Sequence, residues 1–556
     1  MRLYWLWIGE YKNLKDVTID FDQEEWITVV IGWNGTGKSN VLEALATLFR
    51  DLIMGENENK ERNKSSFPYR IKYRCRNNLV YIDADPKRAG NPYRIYVNLE
   101  ENNESQEIIN QGLIFDIESE SKKEDLDKSI TINQFRKSQN QYLPKYIFGY
   151  YSGNSERMKE IFRKYLTKYD ADLRNAKDPG FKRLFYALPV HSQFVLLAFI
   201  HQQDDVVREF LDNQLGLDPN GGIDSILFVL RQPPWSSKDG DPRFWNARGV
   251  VRDFLARLYD VSLAPIRITR QVDVSLWNKK RLEFLYLYLK DLDALQDLVG
   301  QQTPKEVFRD LESTYVSELI EEVRIRVKLR KNDGSVTFRE LSEGEQQLLT
   351  VLGLLRFTAE EESLFLLDEP DTHLNPRWSV DYLQYLEKFL GIDKVSRESC
   401  HVVLTTHNPL AIADLVKEQV QILKRNMDDL SVIATPPDDD PRGMGYAGIV
   451  TSNMFDLPAA MGNYLLSHLE EKRKLSKIEE PNDEQTERLQ ELNAELEGYG
   501  FRHEARDPLF QEYLRARTDY QKSVEQQRAT EVSTTQDQRQ AALELIRQIM
   551  LRRKDS

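Results

Sequence analysis

Trp26-Ile-Thr-Val-Val-Ile31 followed by Gly32-Trp-Asn-Gly-Thr-Gly37-Lys38-Ser39-Asn40 is the stretch that decides how this chain reads. The first part is apolar and rich in β-branched residues, which predicts a buried strand. Lys38 to Arg50 reads as a helix, and the residues between match G-x-x-x-x-G-K-[ST]. A phosphate site needs this order of parts. Glycines let backbone N–H groups curl around a β-phosphate, and the helix N-terminus adds positive potential. Lys38 then reaches the β and γ oxygens, and Ser39 offers a hydroxyl to Mg²⁺. A glycine-rich turn with no ligand is the bland reading; the coincidence of the motif with its strand and helix argues against it.

Outward from that loop, Ser363-Leu-Phe-Leu-Leu-Asp368-Glu369-Pro370 is an apolar strand ending in two carboxylates. Asp368 at the strand end can hold Mg²⁺ through its water shell, and Glu369 is placed to polarise an attacking water. A charged turn is the plainer alternative. His407 follows a further apolar strand, Val402 to Thr405, where an imidazole could touch a γ-phosphate. Leu341-Ser-Glu-Gly-Glu-Gln-Gln347 precedes an apolar helix, and Ser342 with Glu345 fits the S-x-x-E capping box. The cap leaves Gly344 unexplained, and glycine in a first turn is expected where backbone approaches a ligand closely. A capped helix with such a glycine is an anion site of its own.

At 556 residues and 40% hydrophobic, the chain has material for two to four domains of about 150 residues and a full core. Its net charge of −14 excludes bulk polycationic binding to nucleic acid or acidic membranes. Two cysteines, Cys75 and Cys400, exclude a disulfide framework and multi-cysteine metal sites, and fit a reducing compartment. The start lacks the continuous apolar core of a signal peptide, and no run of about 18 apolar residues appears, so a cytoplasmic protein without a membrane span is expected. The expected layout is an N-terminal lobe over 1–154, a compact, mainly helical insert with some strands over 155–334, a second α/β lobe over 335–444, and a helical docking or assembly region over 445–556. In that last part Ala542, Ile546 and Ile549 share a helix face.

Two weaker signals stay open. Arg70, Lys72, Arg74 and Arg76 alternate with Tyr69, Ile71, Tyr73 and Cys75. On a strand this would put four cations on one face, read first as a solvated face and otherwise as a phosphate-binding stripe. Lys12 could approach a nucleotide, as a single lysine only.

Taken in order, GWNGTGKSN, LSEGEQQ, LFLLDEPDTHLNP and TTHNP resemble the ABC-type ATPase heads of the AAA group that includes chromosome-maintenance, double-strand-break-repair and overcoming-lysogenization-defect proteins. The resemblance implies a two-lobed α/β P-loop fold that binds and hydrolyses ATP with Mg²⁺. It places Asn34, Gly35, Thr36, Gly37, Lys38, Ser39 and Asn40 on the phosphates. Ser342, Gly344 and Glu345 fall in the signature motif, Asp368 and Ser39 on the metal, Glu369 as catalytic base and His407 as switch histidine. Two heads of this family sandwich ATP head to tail, which implies at least a dimer. The glutamine of the usual Q-loop is not evident; Phe148 to Arg157 lies where it should fall. The chain lacks long heptads, a C-x-x-C hook and the spaced acids of a built-in nuclease. The remaining layout, with Tyr-Tyr-Ser-Gly153 after the first lobe, looks like the PtuA-type ATPases of Septu anti-phage systems, including retron-linked versions. That likeness implies a separate HNH-type nuclease partner of the PtuB kind. In retron-linked versions it also implies contact with nucleic acid or with the reverse transcriptase and its msDNA. The alternative is a DNA-binding repair clamp without a toxin partner, for which ATP closure would grip duplex.

Overall fold

A computed structural model describes residues 1–98, 129–153, 156–218, 222–273, 279–330, 335–338, 341–358, 362–391, 399–426, 431–478 and 482–499. Residues 1–458 form one compact unit and 459–556 a second. The candidate helix face at Ala542, Ile546 and Ile549 lies outside the described residues.

The run after Trp26 forms the strand Ile27–Gly32 in the interior of a seven-stranded sheet. Its neighbours are Cys400–Thr405 on one side and Val420–Arg425 on the other, both parallel to it. Ser363–Asp368 follows beyond Cys400–Thr405, then Tyr146–Tyr151 and Leu184–Tyr186, again all parallel. Val432–Thr435 closes the opposite edge as an antiparallel strand. The two lobes expected from the sequence therefore share one sheet. Such a sheet must be covered on both faces, which is why its strands read as continuous apolar runs.

Side chains alternate between two cores. Ile27, Val29, Ile31, Phe365, Leu367, Val402 and Leu404 enter one, with Leu348, Leu352 and Leu355 of the helix Glu343–Thr358. Val30, Leu364, Leu366 and Val403 enter the other, with Val41, Leu45 and Leu48 of the helix Lys38–Met54. A six-stranded antiparallel sheet that includes Arg2–Tyr11, Leu14–Asp20 and Tyr69–Cys75 completes this second core.

The central part mixes helices with strands. Besides the helices Arg157–Arg174, His191–His201 and Pro304–Val316 it carries a five-stranded antiparallel sheet. The strands Ile223–Arg231, Lys279–Leu289 and Ile320–Lys328 form its middle. Leu184–Tyr186 belongs to the main sheet. The longest described helix has 18 residues, so no coiled-coil arm is present among the described residues. The compact unit runs on past the expected boundary at 445 through the helix Gly445–Thr451. In the second unit the helices Asn463–Leu475 and Asp483–Gly498 are joined by an ion pair from Arg488 to Glu471, and Arg488 also pairs with Glu491 on its own helix. No described helix is long and apolar enough to cross a membrane.

Candidate functional site

The strand order brings the sequence motifs to one sheet edge. Strands Ile27–Gly32, Cys400–Thr405 and Ser363–Asp368 are consecutive and parallel, so the phosphate loop, His407 and the Asp368-Glu369 pair all follow their C-terminal ends. This is the edge where open α/β sheets bind ligands.

The loop itself is held from outside. Gly32, Gly35 and Gly37 have φ of 151°, 84° and 104°, conformations that side chains rarely adopt. At Gly32 a Cβ would also stand 2.5 Å from the Leu423 carbonyl. The Gly35 carbonyl accepts hydrogen bonds from Asn13 Nδ2 and Arg425 Nη2, each at 3.0 Å. Thr36 donates through its backbone N–H and its Oγ1 to the Trp33 carbonyl, at 3.2 and 2.8 Å. The helix Lys38–Met54 has no side-chain cap and no acid in its first turn, which leaves its N-terminal N–H groups for an anion. Asn40 faces Asn13 Oδ1, so it braces the loop through that residue. Lys12 ion-pairs with Glu43 and is spent there, which corrects the expectation that it reaches nucleotide.

Lys38 Nζ donates to the Gly32 carbonyl at 2.9 Å, inside the cradle. Burial lowers its pKa, while the charges of Glu369 and Asp368 oppose that shift. Asp368 is 1% exposed, and burial raises its carboxyl. Hydrogen bonds from Thr405 and Ser39 work the other way. Ser39 hydroxyl and Asp368 carboxylate thus meet as two hard oxygen donors. One carboxylate, one hydroxyl and substrate phosphate oxygens suit Mg²⁺, which keeps several waters and rarely uses an all-protein cage. No cluster of three or more acidic, His or Cys ligands occurs among the described residues, in keeping with that sparse donor set.

Glu369 is a non-glycine residue at φ 50°. Its N–H is held by the Thr405 carbonyl at 3.0 Å and Oγ1 at 3.2 Å, and its Oε1 lies 3.1 Å from His407 Nδ1. Left-handed backbone at such a residue is strained and persists only when neighbours enforce it. Asp371 is buried, accepts from Thr406 Oγ1 at 2.9 Å, and is raised in pKa by burial. Sequence reasoning assigned no role to Asn13, Arg425, Thr405 or Thr406. The two threonines had a legible signal, because Thr405 ends an apolar strand in register with Asp368 and Thr406 follows it directly.

The capping box forms as read: Ser342 N and Oγ lie 2.6 and 2.9 Å from Glu345 Oε2, and Glu345 N donates to Ser342 Oγ at 3.2 Å. Glu345 is therefore engaged by the cap. Gly344 has a close neighbour within its own chain. A Cβ there would lie 2.6 Å from the His373 carbonyl, so the close approach that demands glycine is made by this chain's own Asp371–Asn375 turn. Among the described residues no hydrogen bond links Ser342 or Gly344 to the phosphate loop. In the Tyr-Tyr-Ser-Gly153 segment, Ser152 N donates to the Asp368 carbonyl at 3.2 Å, and its Oγ lies 3.4 Å from Thr372 Oγ1. A cavity of about 870 Å³ separates this segment from the helix Glu343–Thr358, with Glu369, Thr372, Gln347 and His373 in its wall.

Two family models match the chain: "AAA ATPase domain" over residues 1–214 and "AAA domain, putative AbiEii toxin, Type IV TA system" over 237–413. Over these two stretches the chain is similar to AAA-type ATPase domains. The chain is 24% identical over 203 residues to the Septu protein PtuA of Bacillus mycoides (strain KBAB4), covering 35% of the chain and 27% of that relative. It is 27% identical over 143 residues to the retron Vc95 probable ATPase of Vibrio cholerae serotype O1 biovar El Tor, covering 23% and 26%. The matched stretches thus span about a quarter of either relative's length. Among solved structures, an Smc head bound to the C-winged helix domain of ScpA aligns at TM-score 0.32 and 12% identity, over 78% of this chain and 98% of that chain. A Pyrococcus furiosus Smc head with an extended coiled coil, bound to the ScpA C-terminal domain, aligns at TM-score 0.31 and 12% identity, over 78% and 96%.

Proposed function

We propose that this chain binds and hydrolyses ATP as the regulatory subunit of an anti-phage defence complex, and that it controls a separate HNH-type nuclease. One observation carries the hydrolytic part: the loop lysine, the Ser39–Asp368 donor pair and the strained Glu369 with His407 converge on one edge of three adjacent strands. The likeness to a Septu protein and a retron ATPase supports the defence context.

In this reading the loop N–H groups and Lys38 hold the β and γ oxygens. Mg²⁺ at Ser39 and Asp368 would supply counter-charge to the same oxygens. Glu369, oriented by Thr405 and His407, accepts a hydrogen bond from a water in line with the γ-phosphate and takes its proton as the new P–O bond forms. ADP leaves with the electron pair of the broken bond. Ser342 and Gly344 serve the phosphate of a second copy, head to tail, so turnover needs two chains.

The test is direct. Glu369→Gln should bind labelled ATP as well as the parent chain and turn it over at least about 100-fold more slowly. Turnover at the parent rate overturns the assignment. For the complex, the full chain is copurified with any HNH-type protein found encoded beside its gene. Nuclease activity that changes with the nucleotide bound supports the regulatory role. Nuclease activity that is blind to nucleotide, or no association, overturns it. ATP-stimulated, salt-dependent duplex binding by the chain alone would favour the clamp reading instead.

A further inference from the structure

Within the phosphate loop one side chain serves no purpose in the cradle. Trp33 is 62% exposed, and among the described residues no other tryptophan is so open. Its backbone is not free to move it away, because its carbonyl is bonded twice by Thr36 and the loop apex at Gly35 is clamped by Asn13 and Arg425. A fixed backbone therefore holds an indole out in water, although indole is the side chain with the most to gain from burial.

Its place in the site says what could cover it. Lys38 Nζ, the group that reaches β and γ oxygens, sits 2.9 Å from the carbonyl of Gly32, the residue directly before Trp33. Asp368 and Glu369 act electrostatically on that same lysine. Trp33 thus follows directly on the carbonyl that Lys38 reaches, at the end of the loop where that lysine would meet γ oxygens.

We propose that Trp33 is the anchor by which a second copy of this chain closes over the γ-phosphate. The inference rests on the head-to-tail reading above, in which that end meets the Ser342–Gly344 tip of the other copy. On every copy this tip is packed against the turn that holds His373 and Leu374, with the His373 carbonyl at the Gly344 backbone. The His373 side chain is 40% exposed there. A rigid, amphipathic indole set against such a turn has the character of an interface hot spot. It would make closure depend on a residue that touches no phosphate.

The experiment uses the full chain carrying Glu369→Gln, with ATP and Mg²⁺, and reads its assembly by sedimentation velocity. Adding Trp33→Ala should weaken the nucleotide-dependent dimer by about 30-fold or more, the range of a hot-spot truncation. Binding of labelled ATP at concentrations where the chain is monomeric should stay within about twofold of the parent, well short of a lost stacking contact. Trp33→Phe, which keeps a ring on the same backbone, should restore much of the dimer. A Trp33→Ala dimer as tight as its parent overturns the proposal. So does weakened ATP binding in the monomer, which would put the indole on the nucleotide. If the Glu369→Gln parent itself stays monomeric with ATP, the head-to-tail reading falls, and the anchor with it.

Discussion

Gly344 and Glu369 store opposite kinds of constraint. Gly344 has no side chain because a carbonyl from 29 residues further along occupies the space, the Cβ position lying 2.6 Å from His373 O. Gly344→Ala should therefore cost about 1–3 kcal/mol, as overpacking does, and displace the Asp371–Asn375 turn. Urea denaturation of the variant, with ATPase assays alongside, checks both effects. Glu369 keeps its side chain and pays in backbone strain at φ 50°, a conformation enforced by Thr405. Thr405→Val should lower turnover while leaving ATP affinity near the parent value, read as a fall in kcat larger than any change in KM. The two cysteines lie at the inert end of residue behaviour. Burial pushes the Cys75 thiol up to about 12 and Cys400 to about 11. Neither should react with a thiol reagent at neutral pH until the chain is unfolded, when both become countable.

At the scale of elements, one buried charge cluster ties the central part to the main sheet. Glu312 of the helix Pro304–Val316 pairs with Lys182 and stands 2.7 Å from His191 Nε2, all three being buried. Burial alone would raise the Glu312 carboxyl, but His191 and Lys182 overcome it and hold it at about 2, below the usual 4.5. A carboxyl depressed on folding adds stability that is complete above its unfolded pKa and drains away as pH falls through the folded value. This contribution should therefore be lost between about 4.5 and about 2. Glu312→Gln should lower stability at neutral pH by roughly 3–5 kcal/mol, because Lys182 is left buried without its partner, and should flatten that acid limb. Melting temperatures across pH for both proteins check it.

Elements also divide what could be read in advance. The strand, loop and helix around Lys38, and the strand ending at Asp368, were legible because each is a local pattern. The capping box at Ser342 was legible for the same reason, whereas its glycine pointed only to a close approach and not to His373 as its source. Strand-like pieces were legible in the central part, but not their pairing into one sheet, because Ile223–Arg231 pairs with Lys279–Leu289 and Ile320–Lys328, separated from it by helices. Arg70, Lys72 and Arg74 do lie on the strand Tyr69–Cys75, but Arg76 leaves it at a turn with φ 54°, so the stripe holds three cations. Arg70 lies over the Trp7 ring and 3.8 Å from Asp83, and Lys72 is only 7% exposed.

For the molecule as a whole, every candidate site residue falls within the unit that ends at Pro458. A chain truncated after Pro458 should bind labelled ATP with the affinity of the full chain. A large loss would assign the remaining residues a share in the site. Long-range order matters more than length in this unit, since Ile27–Gly32 lies between two strands that come roughly 370 to 390 residues later in sequence. During synthesis at about 5–20 residues per second, the strand that leads into the phosphate loop emerges roughly 20 to 80 seconds before its last neighbour exists. For that interval a bare β-branched ribbon leaves the ribosome with both edges open. Production of this protein in cells should accordingly depend on holdase capacity and on slow, cool expression far more than its folded stability suggests.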